Sequence, residues 1–143
     1  MTENEKKTID LSGLDTVAGA NAGFDVMLFH PGTREDLGII FKVVGKDSDK
    51  FQEVSRAQQK RRLNKMSKGG FRSATGSLSP EEMENESIDL LAACTRGWSD
   101  NFTIGGEAFA FSTEAAKRVY KQFPWIKEQI DEAMGDRSNF IKR

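Results

Sequence analysis

The chain has 143 residues, of which 30% are charged and 37% are hydrophobic, and its formal net charge is −1. This length suits one domain, and ten Phe and two Trp supply enough large side chains for a core, which excludes wholesale disorder. No run approaches the roughly 20 apolar residues that span a bilayer, and the polar first residues are unlike a signal peptide. A single cysteine cannot form an internal disulfide. The composition therefore predicts a soluble, cytoplasmic-type protein.

One histidine and one cysteine limit the chemistry that the chain can perform. A structural zinc site needs about four Cys or His ligands, whereas the chain offers only His30 and Cys94. A Cys–His nucleophile pair would need both together, but Cys94 lies in an apolar pattern typical of a helix packed in a core, and His30 precedes a Pro-Gly turn. The glycine pairs lack the spacing of phosphate-binding loops. The sequence predicts no enzymatic activity, no cofactor and no metal site.

The first half of the chain predicts a β-hairpin after a flexible start. Residues 1–22 are polar or small and form the predicted lead-in. Aromatic and β-branched residues concentrate in 24–30 and 37–44, on either side of the turn-forming pair Pro31-Gly32. An isolated hairpin is marginally stable in water, so we expect other elements to cover one of its faces.

Helices are predicted to follow the hairpin. The sequence Asp47-Ser48-Asp49 offers an N-cap for a helix from Lys50 to about Met66. Ser79, followed by Pro80 and Glu82, predicts a capping box at the start of a helix that continues towards Trp98. Two further helices are predicted to start at Ser112 and at Pro124. We expect Trp98 and Trp125 to be structural, because each lies next to an apolar stripe.

These elements predict an α+β fold that is mainly helical, with a small N-terminal β-hairpin followed by a bundle of about four α-helices. The predicted division is a lead-in over 1–22, a single domain over 23–137 and a loosely anchored tail over 138–143. In that tail, Phe140 and Ile141 are expected to be exposed.

Charge is distributed unevenly along the chain. Residues 54–80 contain seven Lys or Arg and no acidic residue, whereas 1–53 contain six basic and ten acidic residues. The basic segment is open to three interpretations: a surface for an acidic protein partner, a solvated helix face, or a nucleic-acid surface, which the lack of a recognisable DNA-binding motif disfavours. The candidate partner-binding residues combine this charge with the apolar tail: Arg56, Lys60, Arg61, Arg62, Lys65, Lys68, Phe140 and Ile141.

The last third of the chain carries a series of short motifs: Gly97-Trp98, Ile104-Gly105-Gly106-Glu107, Phe109 to Ala115, Phe123 to Ile130, and Asp136-Arg137-Ser138-Asn139-Phe140. In these residues the chain resembles the tail assembly chaperones of long-tailed, lambda-like bacteriophages. The resemblance covers roughly residues 24–141 and is a pattern of core and cap residues without a catalytic signature.

The resemblance implies a phage or prophage protein that acts in the host bacterial cytoplasm. Such a protein would bind the tape measure protein, keep it soluble and promote assembly of the tail tube, without being part of the mature virion. The tail tube protein would be recruited by a longer form made by ribosomal frameshifting, and self-association is compatible with this role. Two alternatives stay open: a structural tail or connector subunit, and a small nucleic-acid-binding regulator.

Overall fold

The computed structural model describes residues 7–68 and 79–141, apart from the side chains of 66–68. These residues form an α+β structure with five α-helices, two short 3-10 turns and two small antiparallel sheets. None of the described helices has both the length and the apolar composition to cross a membrane. The helices are α1 (Thr16–Ala22), α2 (Asp49–Lys68), α3 (Pro80–Ala93), α4 (Thr113–Gln122) and α5 (Pro124–Gly135). The strands are β1 (Phe24–Phe29), β2 (Asp36–Val43), β3 (Thr95–Trp98), β4 (Thr103–Ile104) and β5 (Glu107–Ala108).

The prediction of a single N-terminal hairpin followed by a helical bundle is wrong. β1 and β2 do pair, but β2 also pairs on its other side with β3, which lies between α3 and α4, so the strand order is β1-β2-β3. β4 and β5 form a second sheet, closed by the turn Gly105-Gly106, in which both residues have positive φ. The strands are thus interleaved with the helices along the chain.

The end of α3 differs from the prediction, because β3 lies where the sequence predicts further helix. The capping box at Ser79 and Glu82 is present as predicted, but α3 stops at Ala93. The hydroxyl of Thr95 donates to the carbonyl of Leu91 (2.8 Å), and the chain then extends along β2 instead of continuing the helix. The apolar stripe that predicted helix as far as Trp98 therefore belongs to two elements with a common core.

The core lies on one face of the three-stranded sheet. In β1, Val26 and Leu28 are buried, whereas Asp25 is exposed. Buried residues at every second position are typical of a sheet that is covered on one side. Phe41 and Val43 repeat the pattern in β2. The helices cover this face with buried residues from α3, α4 and α5: Ile88, Leu91, Ala92, Ala116, Val119, Tyr120, Ile126, Ile130 and Met134.

A buried polar pair joins α4 to the sheet. The oxygens of Tyr120 and Thr95 are 2.6 Å apart, and because the Thr95 hydroxyl donates to Leu91, the Tyr120 hydroxyl donates to Thr95. Burial raises the pKa of Tyr120, so this donor keeps its proton. The pair satisfies the polar groups of two buried side chains and fixes the position of α4 over β3.

The two ends of the described chain pack against each other, contrary to the predicted lead-in and tail. Residues 16–22 are the helix α1, in which Ala20 is fully buried. Phe140 is 6% exposed and meets Phe24 edge to face, with ring centroids 4.7 Å apart. The expectation of a loose tail with an exposed Phe140 is therefore wrong.

Two glycines make room for Phe140. A Cβ added to Gly19 would lie 1.6 Å from the carbonyl oxygen of Phe140, and one added to Gly45 would lie 2.8 Å from the Phe140 ring. The turn Arg137–Phe140 is also held by charge, because Arg137 Nε lies 2.6 Å from Asp47 Oδ2. Hydrogen bonds from Arg137 and Thr16 lower the pKa of Asp47 to about 2, so this carboxylate stays ionised. This packing around Phe140 could not be predicted from the sequence, because the small residues that allow it are also typical of a flexible stretch.

Phe140→Ala should lower the free energy of unfolding by about 3–4 kcal/mol, as expected for removal of a buried aromatic ring. Gly19→Ala should cost about 1–3 kcal/mol, because the new methyl group displaces the Phe140 backbone. Gly13→Ala is the matched control, since nothing lies within 4 Å of its added Cβ. Urea denaturation followed by circular dichroism measures all three, and equal midpoints would contradict the close packing of the two ends.

Trp98→Ala should destabilise the protein more than Trp125→Ala does. The Trp98 ring packs against four aromatic rings, those of Phe41, Phe102, Phe109 and Phe111, and its Nε1–H donates to the Phe109 carbonyl (3.0 Å). Trp125 meets one ring, that of Phe123, at 6.5 Å. We expect a loss of about 3 kcal/mol for Trp98→Ala, corresponding to a fall of roughly 10 °C in Tm. Calorimetry of both variants tests the order.

Candidate functional site

One face of α2 is fixed to α3. The buried side chain of Gln58 donates to the backbone carbonyl of Glu86 (2.8 Å). One turn later, the guanidinium of Arg62 pairs with the Glu86 carboxylate, with Nε at 3.0 Å from Oε1. Lys65 Nζ lies 3.1 Å from Oε2 of Glu82. Positions 58, 62 and 65 follow helical spacing, so together they form the face that packs on α3.

The opposite face of α2 points to solvent. Arg56 and Lys60 are one turn apart and exposed, and Leu63, seven residues after Arg56, is 65% exposed. Arg61 is exposed on the flank of the helix. Within the described part of the chain, none of the three cations forms an ion pair. We call Arg56, Lys60 and Arg61 the basic patch.

The structure thus divides the six cations that were predicted to bind a partner. Arg56, Lys60 and Arg61 form the basic patch, while Arg62 and Lys65 are neutralised within the chain. The side chain of Lys68, at the end of α2, lies outside the described residues. A partner-binding role for these residues stays a prediction, but the surface that could serve it is narrower than the sequence suggested.

The predicted apolar anchor, Phe140 with Ile141, is less exposed than expected. Phe140 is buried between Gly19, Gly45 and Phe24, and Ile141 is half-buried beside it. The exposed apolar residue next to the basic patch is instead Leu63, which the sequence analysis missed. The signal was its spacing, three residues after Lys60 and seven after Arg56, which places all three on one side of a helix.

Glu82 has two roles where α3 begins. Its carboxylate accepts a hydrogen bond from the backbone N–H of Ser79 (3.4 Å) in the capping box and another from the ammonium group of Lys65. The hydrogen bond from Lys65, followed by those from Ser79, lowers the pKa of Glu82. The capping box therefore joins the start of α3 to the second half of α2, the helix that carries the basic patch.

Cys94 and His30 do not form a nucleophile pair. Cys94 is fully buried in the core, as predicted, and burial raises the pKa of its thiol to about 11, which disfavours the reactive thiolate. His30 is exposed at the turn, as predicted, and its Nδ1 accepts the N–H groups of Gly32 (3.0 Å) and Thr33 (3.1 Å). Over residues 7–68 and 79–141 there is also no group of three His, Cys, Asp or Glu that could hold a metal ion.

Comparison of the chain with protein-family models, with curated proteins and with solved structures finds no match. The resemblance to tail assembly chaperones therefore stays a prediction that rests on the residues of the chain itself.

Arg62→Glu should destabilise the protein by about 1 kcal/mol, because it places a carboxylate against Glu86 at the junction of α2 and α3. The double variant Arg62→Glu with Glu86→Arg should recover most of this loss, because it restores opposite charges. Arg56→Glu, on the exposed face, should stay within about 0.5 kcal/mol of the unmodified protein. Thermal denaturation of the four proteins at low salt tests the pairing, and equal stabilities of all of them would contradict it.

Proposed function

We propose that this chain is a phage tail assembly chaperone, a non-enzymatic protein that binds the tape measure protein in the host cytoplasm. Binding would keep the tape measure protein soluble and promote assembly of the tail tube around it. The observation that carries the proposal is the basic patch with Leu63: Arg56, Lys60 and Leu63 are exposed on one side of a helix whose opposite face is fixed, and Arg61 is exposed on its flank.

The rigid attachment of α2 favours binding. Gln58, Arg62 and Lys65 hold the helix on α3, so a partner need not order it first, and less conformational entropy is lost on association. The combination of charge and one large aliphatic side chain suits an elongated helical partner. The cations would set orientation and association rate, and Leu63 would supply the buried contact.

The resemblance names the tape measure protein as the client, and the positive charge of the basic patch indicates that the client's contact surface is acidic. A helix that lies along Arg56 and Lys60 needs carboxylates at matching spacing, three or four residues apart, to pair with both. A tape measure protein, as a long helical chain with many exposed charged positions, offers such a surface. The interaction should weaken with salt, because the pairs lie at the surface.

Reversal of the basic patch should reduce capture of the tape measure protein without unfolding the chaperone. We expect the triple variant Arg56→Glu, Lys60→Glu and Arg61→Glu to bind the client about tenfold more weakly or worse. Each ion pair between a patch cation and a client carboxylate contributes roughly 0.5 kcal/mol or more, and the variant loses three of them. The control reverses three cations on other elements: Arg96, Lys121 and Lys127. Co-expression of each variant with the tape measure protein of the same phage, followed by pull-down and measurement of soluble client, gives the comparison.

Two results would contradict the proposal. If the patch variant holds the client as well as its control does, the basic patch is not the binding surface. If mass spectrometry of purified phage particles shows the chain at the copy number of a tail component, the protein is a structural subunit and not an assembly chaperone.

A further inference from the structure

β1 has an open edge whose backbone groups can be assigned. Among the described residues, it is an outer strand of the sheet that pairs with β2 and with no other strand. Ile40 of β2 turns its backbone towards β3, because its carbonyl accepts the N–H of Ser99 (2.8 Å) and its N–H donates to Ser99 Oγ (3.0 Å). Met27, opposite Ile40, is therefore in a non-hydrogen-bonded pair, and its N–H and C=O point to the open edge. By the two-residue period of a strand, so do those of Asp25.

At one end of this edge, a side chain already takes the place of a neighbouring strand. The amide of Gln129 on α5 accepts the N–H of Phe29 (2.9 Å) and donates to the carbonyl of Phe29 (2.9 Å). These are the two bonds that the C=O and N–H of one residue in an added antiparallel strand would make. No described residue provides an equivalent partner for the outward groups of Asp25 or Met27. The same edge therefore offers two further residues for strand pairing.

A groove of about 390 Å³ runs between this edge and the end of α5. We call it the edge groove, lined by Phe24, Asp25, Met27, Glu132, Ala133 and Asp136. Phe24 and Ala133 make part of it apolar, whereas Asp25, Glu132 and Asp136 are exposed carboxylates. Arg34 is the cation among its lining residues. Hydrogen bonds from Ser138 lower the pKa of Asp136 and so favour its charged form.

We propose that the edge groove binds an extended peptide segment of a partner protein in which Lys or Arg alternates with aliphatic residues. The segment adds to β1 as a further strand and pairs with the backbone of Asp25 and Met27. Its aliphatic side chains pack towards Phe24 and Ala133, and its cations face the carboxylates. This surface does not overlap the basic patch of α2, so the inference is independent of the proposed function.

The charge of the groove favours such a peptide over a second copy of the chain. Pairing of β1 with β1 of another copy would bring two sets of three carboxylates together, each with a single guanidinium to offset them. Like charges placed opposite each other across paired strands are destabilising. A cationic segment instead gains from every carboxylate on the rim.

The test uses the full chain labelled with ¹⁵N and the synthetic peptide acetyl-Lys-Val-Lys-Val-Lys-Val-amide. Titration followed by NMR should give saturable shifts at the amides of Asp25, Met27 and Phe29 and at the end of α5. Three changes should each weaken binding about tenfold: methylation of the peptide's backbone nitrogens, exchange of its lysines for glutamates, and Met27→Pro in the protein. Proline is tolerated on an edge strand where the N–H points outward, and the methylated peptide tests pairing without altering the protein.

The contribution of charge is tested by Glu132→Lys, which should weaken binding severalfold, with Glu84→Lys on the exposed surface of α3 as the matched control.

The proposal is overturned if the methylated peptide binds as tightly as the unmodified one, or if the shifts map to the acidic start of α3. It is also overturned if sedimentation shows a dimer that Met27→Pro converts to a monomer, because a second copy would then cover the edge.

Discussion

The structure depends on a sheet that is covered on one side only. Phe41, in the middle strand β2, packs against Trp98 and Phe102 and against Tyr120 of α4, with ring centroids 5.0 to 6.2 Å apart. The helices α3, α4 and α5 bury one face of the three-stranded sheet. The alternation of buried and exposed residues in β1 and β2 reflects this one-sided burial. The opposite face carries the exposed side chains of Asp25, Lys42 and Arg96. The outer edge of β1 is covered at Phe29 by Gln129 of α5, but its backbone groups at Asp25 and Met27 remain open to a partner.

The two ends of the described chain belong to the same structure because an aromatic ring fills the space that two glycines leave. Phe140 comes within contact of Gly19, Gly45 and Phe24, and the Asp47–Arg137 pair fastens the same turn. This packing also decides what the C-terminal turn can do. A buried side chain such as Phe140 cannot at the same time be an anchor for a client. The apolar contacts that a partner could make are instead offered by Leu63 and by the edge groove.

Local signals predicted the elements better than their arrangement. Local signals placed the starts of α3, α4 and α5 correctly, since Ser79 and Ser112 accept backbone N–H groups three residues away and Pro124 has a fixed φ that suits a first helical position. The pairing of β3 with β2 could not be read in this way, because it joins Trp98 to Phe41 across the helices between them. The same holds for the candidate site: helical spacing put Arg62 and Lys65 beside Arg61, but only the position of α3 shows that Glu86 and Glu82 neutralise them.

The near-zero net charge of the chain conceals two surfaces of opposite sign. The basic patch on α2 has three cations that no described carboxylate neutralises, while the edge groove has three carboxylates and one guanidinium. They also differ in geometry, since one is the convex side of a helix and the other is a strand edge with backbone groups exposed. A helix face selects side chains three or four residues apart, whereas a strand edge selects an extended backbone with an alternating pattern. The two surfaces therefore cannot compete for one segment, and a partner that engages both must present an acidic helix and a basic extended stretch.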